Sequence, residues 1–128
     1  FAYALVFIAG VVVAASAGYA INLPVRQIRG GAAPAPLIHL AGDPGVLVEA
    51  VKLADDRSGD VIVRMYESLG GRARVRVVAD FTAAAWTETD LLEDPIEPDA
   101  TEGCAPGEVR LHPFQIVTLR VRPADLDS

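Results

Sequence analysis

Val46-Leu47-Val48-Glu49-Ala50-Val51-Lys52-Leu53-Ala54, then Asp55-Asp56-Arg57-Ser58-Gly59-Asp60, then Val61-Ile62-Val63-Arg64-Met65-Tyr66-Glu67 is the stretch that decides the fold. Two runs rich in Val, Ile, Leu, Met and Tyr flank a segment of Asp, Ser and Gly. That composition describes two β-strands, Val46–Ala54 and Val61–Glu67, joined by a turn. Neither run alternates cleanly. Val46, Val48 and Ala50 share one face of the first strand, and Leu47, Val51 and Leu53 share the other. In the second, Val61, Val63 and Met65 oppose Ile62 and Tyr66. A strand apolar on both faces needs cover on both. A second sheet can supply one cover, and something else must supply the other. A symmetric turn sets Val51 opposite Arg64 and makes Glu49 the diagonal neighbour of Arg64 on the same face. Shifting the register by one opposes Lys52 to Arg64 and Glu49 to Glu67, both like-charge pairs. The favoured register therefore predicts a Glu49–Arg64 ion pair.

Working outward, Gly42-Asp43-Pro44-Gly45 is a strong turn signal ahead of the hairpin, and Leu37–Leu40 before it reads as a short strand. After Gly70-Gly71 comes the cleanest alternation in the chain, with Arg72, Arg74 and Arg76 against Ala73, Val75 and Val77, a strand with one wet face. Phe81–Thr89 follows as a strand with Trp86 pointing inward at an edge. Leu91 to Gly107, with Pro95, Pro98 and Pro106, reads as loop. Val109–His112 and Gln115–Arg122 form the last strands around the Pro113-Phe114 corner, with Val117, Leu119 and Val121 facing in and Thr118, Arg120 and Arg122 facing out. Many short strands at regular spacing with Gly/Pro turns mean an all-β, antiparallel β-sandwich.

The N-terminal run, Phe1 to Val25, carries no charge and is long enough to span a bilayer. Ser16, Gly18, Asn22 and Pro24 interrupt it, no basic cluster precedes it, and Phe1, Tyr3, Leu5 and Phe7 repeat with the strand period. The favoured reading is a strand with a short buried connection, then a strand over Tyr19–Arg26 limited by Pro24. A membrane anchor is the competing reading. Gly30 to Pro36 is a Gly/Pro connector too short for a domain linker. At 128 residues the whole chain reads as a single domain, residues 1–128, and its start at Phe1 rather than Met suggests a fragment or a processed product.

Composition limits the partners. The hydrophobic share is 52% with 11 Gly besides, well above the ~45–50% usual on a count that includes Gly. The excess suggests surface meant for a partner. A net charge of −6 argues against nucleic acid. The single Cys104 allows no internal disulfide and fits a reducing, cytoplasmic compartment. Basic residues that are nearly all Arg, together with abundant Ala, Val and Gly, are the usage of a GC-rich bacterial source.

Chemistry-bearing patterns are sparse. His39, His112 and Cys104 are too scattered for a metal site. Asp55/Asp56 and Glu88/Asp90 are carboxylate pairs of the kind a glycosidase sets across a sugar, although adjacent acids in a turn are more often simply solvated. The Arg72/Arg74/Arg76 row could grip an acidic partner but reads first as a solvated face. Tyr66 and Trp86 could stack on sugars but read first as core aromatics. No catalytic and no metal-binding residue is assigned.

Val48-Glu49-Ala50-Val51-Lys52-Leu53-Ala54-Asp55-Asp56 with Val63-Arg64-Met65-Tyr66-Glu67 resembles the C-terminal region of class II α-mannosidases, glycoside hydrolase family 38, of the cytosolic and bacterial type. Three further pieces match in the right order: Tyr19–Arg26, Glu88-Thr89-Asp90-Leu91-Leu92-Glu93, and Pro113-Phe114-Gln115-Ile116-Val117-Thr118-Leu119. Phe1–Leu5 looks like the family strand at that place. The Pro-His and Trp-containing loop that usually follows is replaced by Val6–Val11, which leaves the conformation of residues 7–15 open. The resemblance implies a β-sandwich like the C-terminal part of the galactose-mutarotase-type supersandwich. It also implies a parent enzyme that hydrolyses terminal α-D-mannosidic bonds with retention, its zinc and its Asp nucleophile lying in an N-terminal barrel. The partners implied are those N-terminal catalytic domains, mannosides or oligosaccharides through the parent enzyme, and a possible homo-oligomer, with no membrane. Zinc is expected in the parent and no cofactor in this fragment. Arg64, Tyr66 and Glu67 are the candidates for a place on the substrate rim. The alternative is a free-standing β-sandwich that binds carbohydrate or protein.

Overall fold

A computed structural model describes residues 14, 17, 18, 21, 22, 31, 35–97 and 105–124. The chain divides into two compact units, Phe1–Ala35 and Pro36–Ser128. In the first, the described residues Ala14, Ala17, Gly18, Ile21 and Asn22 are helical, and Asn22 Nδ2 donates to Gly18 O at 2.8 Å, one turn back. The strand expected over Tyr19–Arg26 is therefore corrected at Ile21 and Asn22. Alanine has the highest helix propensity and is abundant here, which favours helix over the extended form. Phe1–Leu5 and the Cys104 segment lie outside the described residues. Among those described, no helix is long and apolar enough to cross a membrane.

Among its described residues the second unit is all-β, with seven strands: β1 (Ile38–Gly42), β2 (Val46–Leu53), β3 (Val61–Glu67), β4 (Ala73–Ala79), β5 (Ala83–Thr89), β6 (Glu108–Leu111) and β7 (Ile116–Pro123). A three-stranded sheet in the order β1-β4-β6 faces a four-stranded sheet in the order β2-β3-β7-β5, and every pairing is antiparallel. The expected turn between β1 and β2 carries the chain from one sheet to the other, with Asp43 Oδ1 accepting from Gly45 N at 2.8 Å. That is the Asx-turn chemistry the residue supplies. The alternation in β4 holds as read: Ala73, Val75 and Val77 are buried and the arginines are exposed.

The core lies between the sheets. Val61, Val63 and Met65 of β3 stand beside Val121, Leu119 and Val117 of β7 and pack onto Val75 and Val77 of β4. Burying side chains of this kind contributes roughly 1.5–3 kcal/mol each. Trp86 on β5, opposite Val121, lies inward at the sheet edge as expected.

The predicted register fails by one local feature. Val46, Leu47 and Val48 pair with Glu67, Tyr66 and Met65, but beyond them the ladder resumes with Ala50 against Arg64 and Val51 against Val63. Glu49 is the extra residue of a β-bulge. A bulge removes one residue from the pairing and turns the strand there. Among the described residues Glu49 makes no ion pair with Arg64, so that expectation is corrected.

Cover is unequal across the hairpin. β3 is sealed on its core face, with Val63 and Met65 at 0% exposure, and its outer face is covered at Ile62, 1% exposed, but only half covered at Arg64 and Tyr66. On β2, Val48, Val51 and Leu53 stand on the core side, opposite Met65, Val63 and Val61, yet all three are exposed. β2 is the outermost strand of the wider sheet, and only its start, at the buried Val46, joins the core. The outer cover comes from the loop after β5. It is closed at its base by Asp90 N to Asp94 O at 2.9 Å and Ile96 N to Glu88 O at 3.0 Å. Its tip crosses the outer face toward β2, where Glu93 Oε2 accepts from Asp55 N at 2.8 Å and Oε1 pairs with the Lys52 ammonium. From β5 to β2 is three strand spacings, roughly 14 Å.

Candidate functional site

Arg64 and Tyr66 occupy successive outward positions of β3, so the structure brings these two candidates to one face. Arg64 is half-buried and held from two sides, its Nε donating to Thr118 Oγ1 at 3.4 Å and its NH2 group to Leu91 O at 3.3 Å. Tyr66 lies between Leu47 and Ile116 in one cross-strand row. Leu91, whose carbonyl holds Arg64, and Ile116, opposite Tyr66, are exposed beside them. The outer face is thus an apolar surface with an arginine and a tyrosine set into it.

Glu67 points the other way. Its side chain is 2% exposed, and its carboxylate accepts from Leu69 N and Gly70 N at 2.7 Å and from Phe114 N at 3.0 Å. Burial alone would raise its pKa. The converging backbone N–H groups outweigh that and hold it below the ordinary glutamate value. The residue ties the β3–β4 turn to the corner before β7. Phe114 at that corner is left-handed, with φ 58°, and 70% exposed. Its ring lies against Gly70, φ 75°, where an added Cβ would fall 2.6 Å from Phe114 Cζ, so a side chain there would strain the backbone and displace the ring.

At the far end of the same sheet, charges brace the hairpin turn. Arg120 Nε donates to the buried Asp60 Oδ2 at 2.6 Å and its NH2 group to Asp56 Oδ2 at 2.5 Å, while Arg122 Nε stands 3.6 Å from Asp60 Oδ1. Hydrogen bonds from Ser58, then from Arg120, pull the Asp56 carboxyl well below the usual range. Asp55 and then Glu93 raise Lys52 in the same way.

The carboxylate pairs are taken up by structure. Asp56 serves the turn, accepting from Ser58 N at 2.9 Å. Asp90 accepts from Leu92 N at 2.8 Å and Asp94 N at 3.0 Å, while Glu88 stands in the ladder opposite Leu119, on the core side of β5. Among the described residues no group of three or more His, Cys, Asp or Glu could hold a metal ion, so the zinc implied for the family has no fitting ligand set there.

One concavity was not legible in the sequence. Between the edge strands β5 and β6, where the two sheets part, lies a cleft of about 400 Å³ whose lining includes Trp86, Glu88, Glu97, Glu108, His112 and Gln115. These residues come from both sheets and two connections. No spacing rule joins them, although an inward Trp on an edge strand is the one signal that could have pointed there.

Residues 45–119, more than half of the chain, match the family model described as the glycosyl hydrolases family 38 C-terminal beta sandwich domain. A search of curated proteins returns no match to the chain.

Proposed function

The chain belongs to the glycosyl hydrolases family 38 C-terminal beta sandwich domains, and from that membership we propose that it is the non-catalytic C-terminal sandwich of an α-mannosidase. A domain of this kind is part of a larger glycosidase. In this reading the parent cleaves terminal α-D-mannosidic bonds with retention, using zinc and a nucleophile carried by domains upstream, in a bacterial cytoplasm. The sandwich packs against those domains and stabilises them.

The observation that carries the reading is the strip Val48, Val51 and Leu53. These are core-type side chains on the core side of a sheet, left uncovered by the chain's own second layer. Contiguous apolar surface of that kind marks an interface. Arg64 and Tyr66, with the apolar loop tip above them, are the part of the outer face offered for the rim of the active site. Glu67 supports that rim from below through the Phe114 corner.

The test uses the 128-residue chain with added zinc and an aryl α-mannoside, and then the same chain joined to its upstream region. The chain alone is expected to show no turnover. In the joined protein, Leu53→Asp is expected to lower the melting temperature of the whole. Turnover by the chain alone overturns the reading, and an unchanged melt for Leu53→Asp removes the β2 strip as the contact.

A further inference from the structure

We propose that the cleft between β5 and β6 is a binding site for a neutral saccharide, separate from the packing surface on β2. The lining carries what hydroxyl-rich ligands require and what charged ones do not. Trp86 supplies an indole N–H and an aromatic surface. Gln115 uses its Oε1 on His112 N at 2.8 Å, which turns its NH2 group outward as a donor. Glu97 supplies a carboxylate acceptor, and the His112 imidazole can donate or accept. Among the described residues these four groups have no hydrogen-bond partner of their own. Glu108 is already engaged, with Arg74 Nε at 3.4 Å and Ala105 N at 3.4 Å.

Charge selects among ligands. Three glutamates and one arginine, Arg110, line the cleft, and this net negative balance disfavours phosphates and carboxylates by like-charge repulsion. No cluster suited to a metal ion occurs among the described residues, which disfavours a bare cation. A ring bearing several hydroxyls meets acceptors, donors and an aromatic surface together, and the cleft volume lies within the ~300–1,000 Å³ of small-molecule sites. The indole packs against Gly107, φ 78°, where an added Cβ would stand 3.4 Å from Trp86 Cζ2 and 3.0 Å from Val77 O.

Trp86 is the sole tryptophan of the chain, so its emission reports on the cleft directly. The 128-residue chain is titrated with methyl α-D-mannopyranoside and methyl α-D-glucopyranoside, and with mannose 6-phosphate as the charged comparison. A saturable change in Trp86 emission with a neutral glycoside is expected at millimolar concentration. Glu97→Gln and Gln115→Ala should each weaken it about tenfold, the effect of losing one directed hydrogen bond to a ligand. Leu92→Ser, on the loop tip, should leave it unchanged. Flat emission with both neutral glycosides overturns the proposal. So does tighter binding of mannose 6-phosphate, or titrations in both cleft variants that match the parent chain while their melting curves also match. None of these readouts depends on β2 or on an upstream domain, so the proposed packing role and the saccharide site stand or fall separately.

Discussion

β2 and β3 are built from nearly the same residues and are hydrogen-bonded to one another, yet the core face of β3 is sealed and that of β2 is largely open. Met65 on β3 is fully buried, while its cross-strand neighbour Val48 and the nearby Val51 stand exposed. Composition does not separate them. Position does: β3 lies second in its sheet beneath a facing layer and a crossing loop, and β2 is the edge. An apolar strand thus reports that cover is needed, and the sheet order decides whether the chain provides it or another body must.

The contrast can be broken most sharply by truncation. Met65→Ala is expected to cost about 2–5 kcal/mol, because the site is enclosed and cannot collapse freely. Val51→Ala in the same chain should cost under ~0.5 kcal/mol, as exposed positions do. Denaturant midpoints of the two variants measure both, and equal losses would mean that β2 is covered after all.

Glu67→Gln, at the end of β3, should cost about 2–3 kcal/mol at neutral pH by misaligning hydrogen bonds to a charged acceptor. Its pH dependence carries a sign. The folded-state pKa is lowered, so the stabilisation is present above the unfolded value of ~4.3 and is lost as pH falls through the folded one. Melting of the parent chain should therefore decline toward acid more steeply than melting of the variant. Parallel curves would show that Glu67 does not titrate with folding.

The smallest effect sharpens the comparison from the open side. Leu53→Ser should change the stability of this chain by no more than ~0.5 kcal/mol, since Leu53 is 66% exposed. It should also reduce binding of an apolar dye to the chain, the measurement that shows the strip is available.

Much of this was legible in the residues. The turn at Gly42–Gly45, the hairpin bounds and the inward-outward assignment in β4 and β7 follow from patterns confined to a few neighbouring positions. The register at Glu49 was not: the bulge shifts the phase of the alternation, so Val46, Val48, Val51 and Leu53, which read as split between two faces, all stand on the core side. The outer cover was missed for a different reason. Glu93 is an acid in a Pro-containing loop and reads as solvated, but its left-handed backbone, φ 72°, and a reach to Asp55 across the sheet make it a buried anchor. Arg64 and Tyr66 share a face by strand periodicity alone. The cleft depends on where two edges from different sheets end, which no local pattern encodes.

The place of β7 has a consequence for how the molecule comes into being. Last of the described strands, it lies between β3 and β5 and pairs with both. Until its residues arrive, the larger layer exists as two separate pieces with raw margins facing each other across a gap. Nascent chains shorter than Ile116 are therefore templates for strand capture by neighbours, and completion is a late, long-range closure of the slow kind.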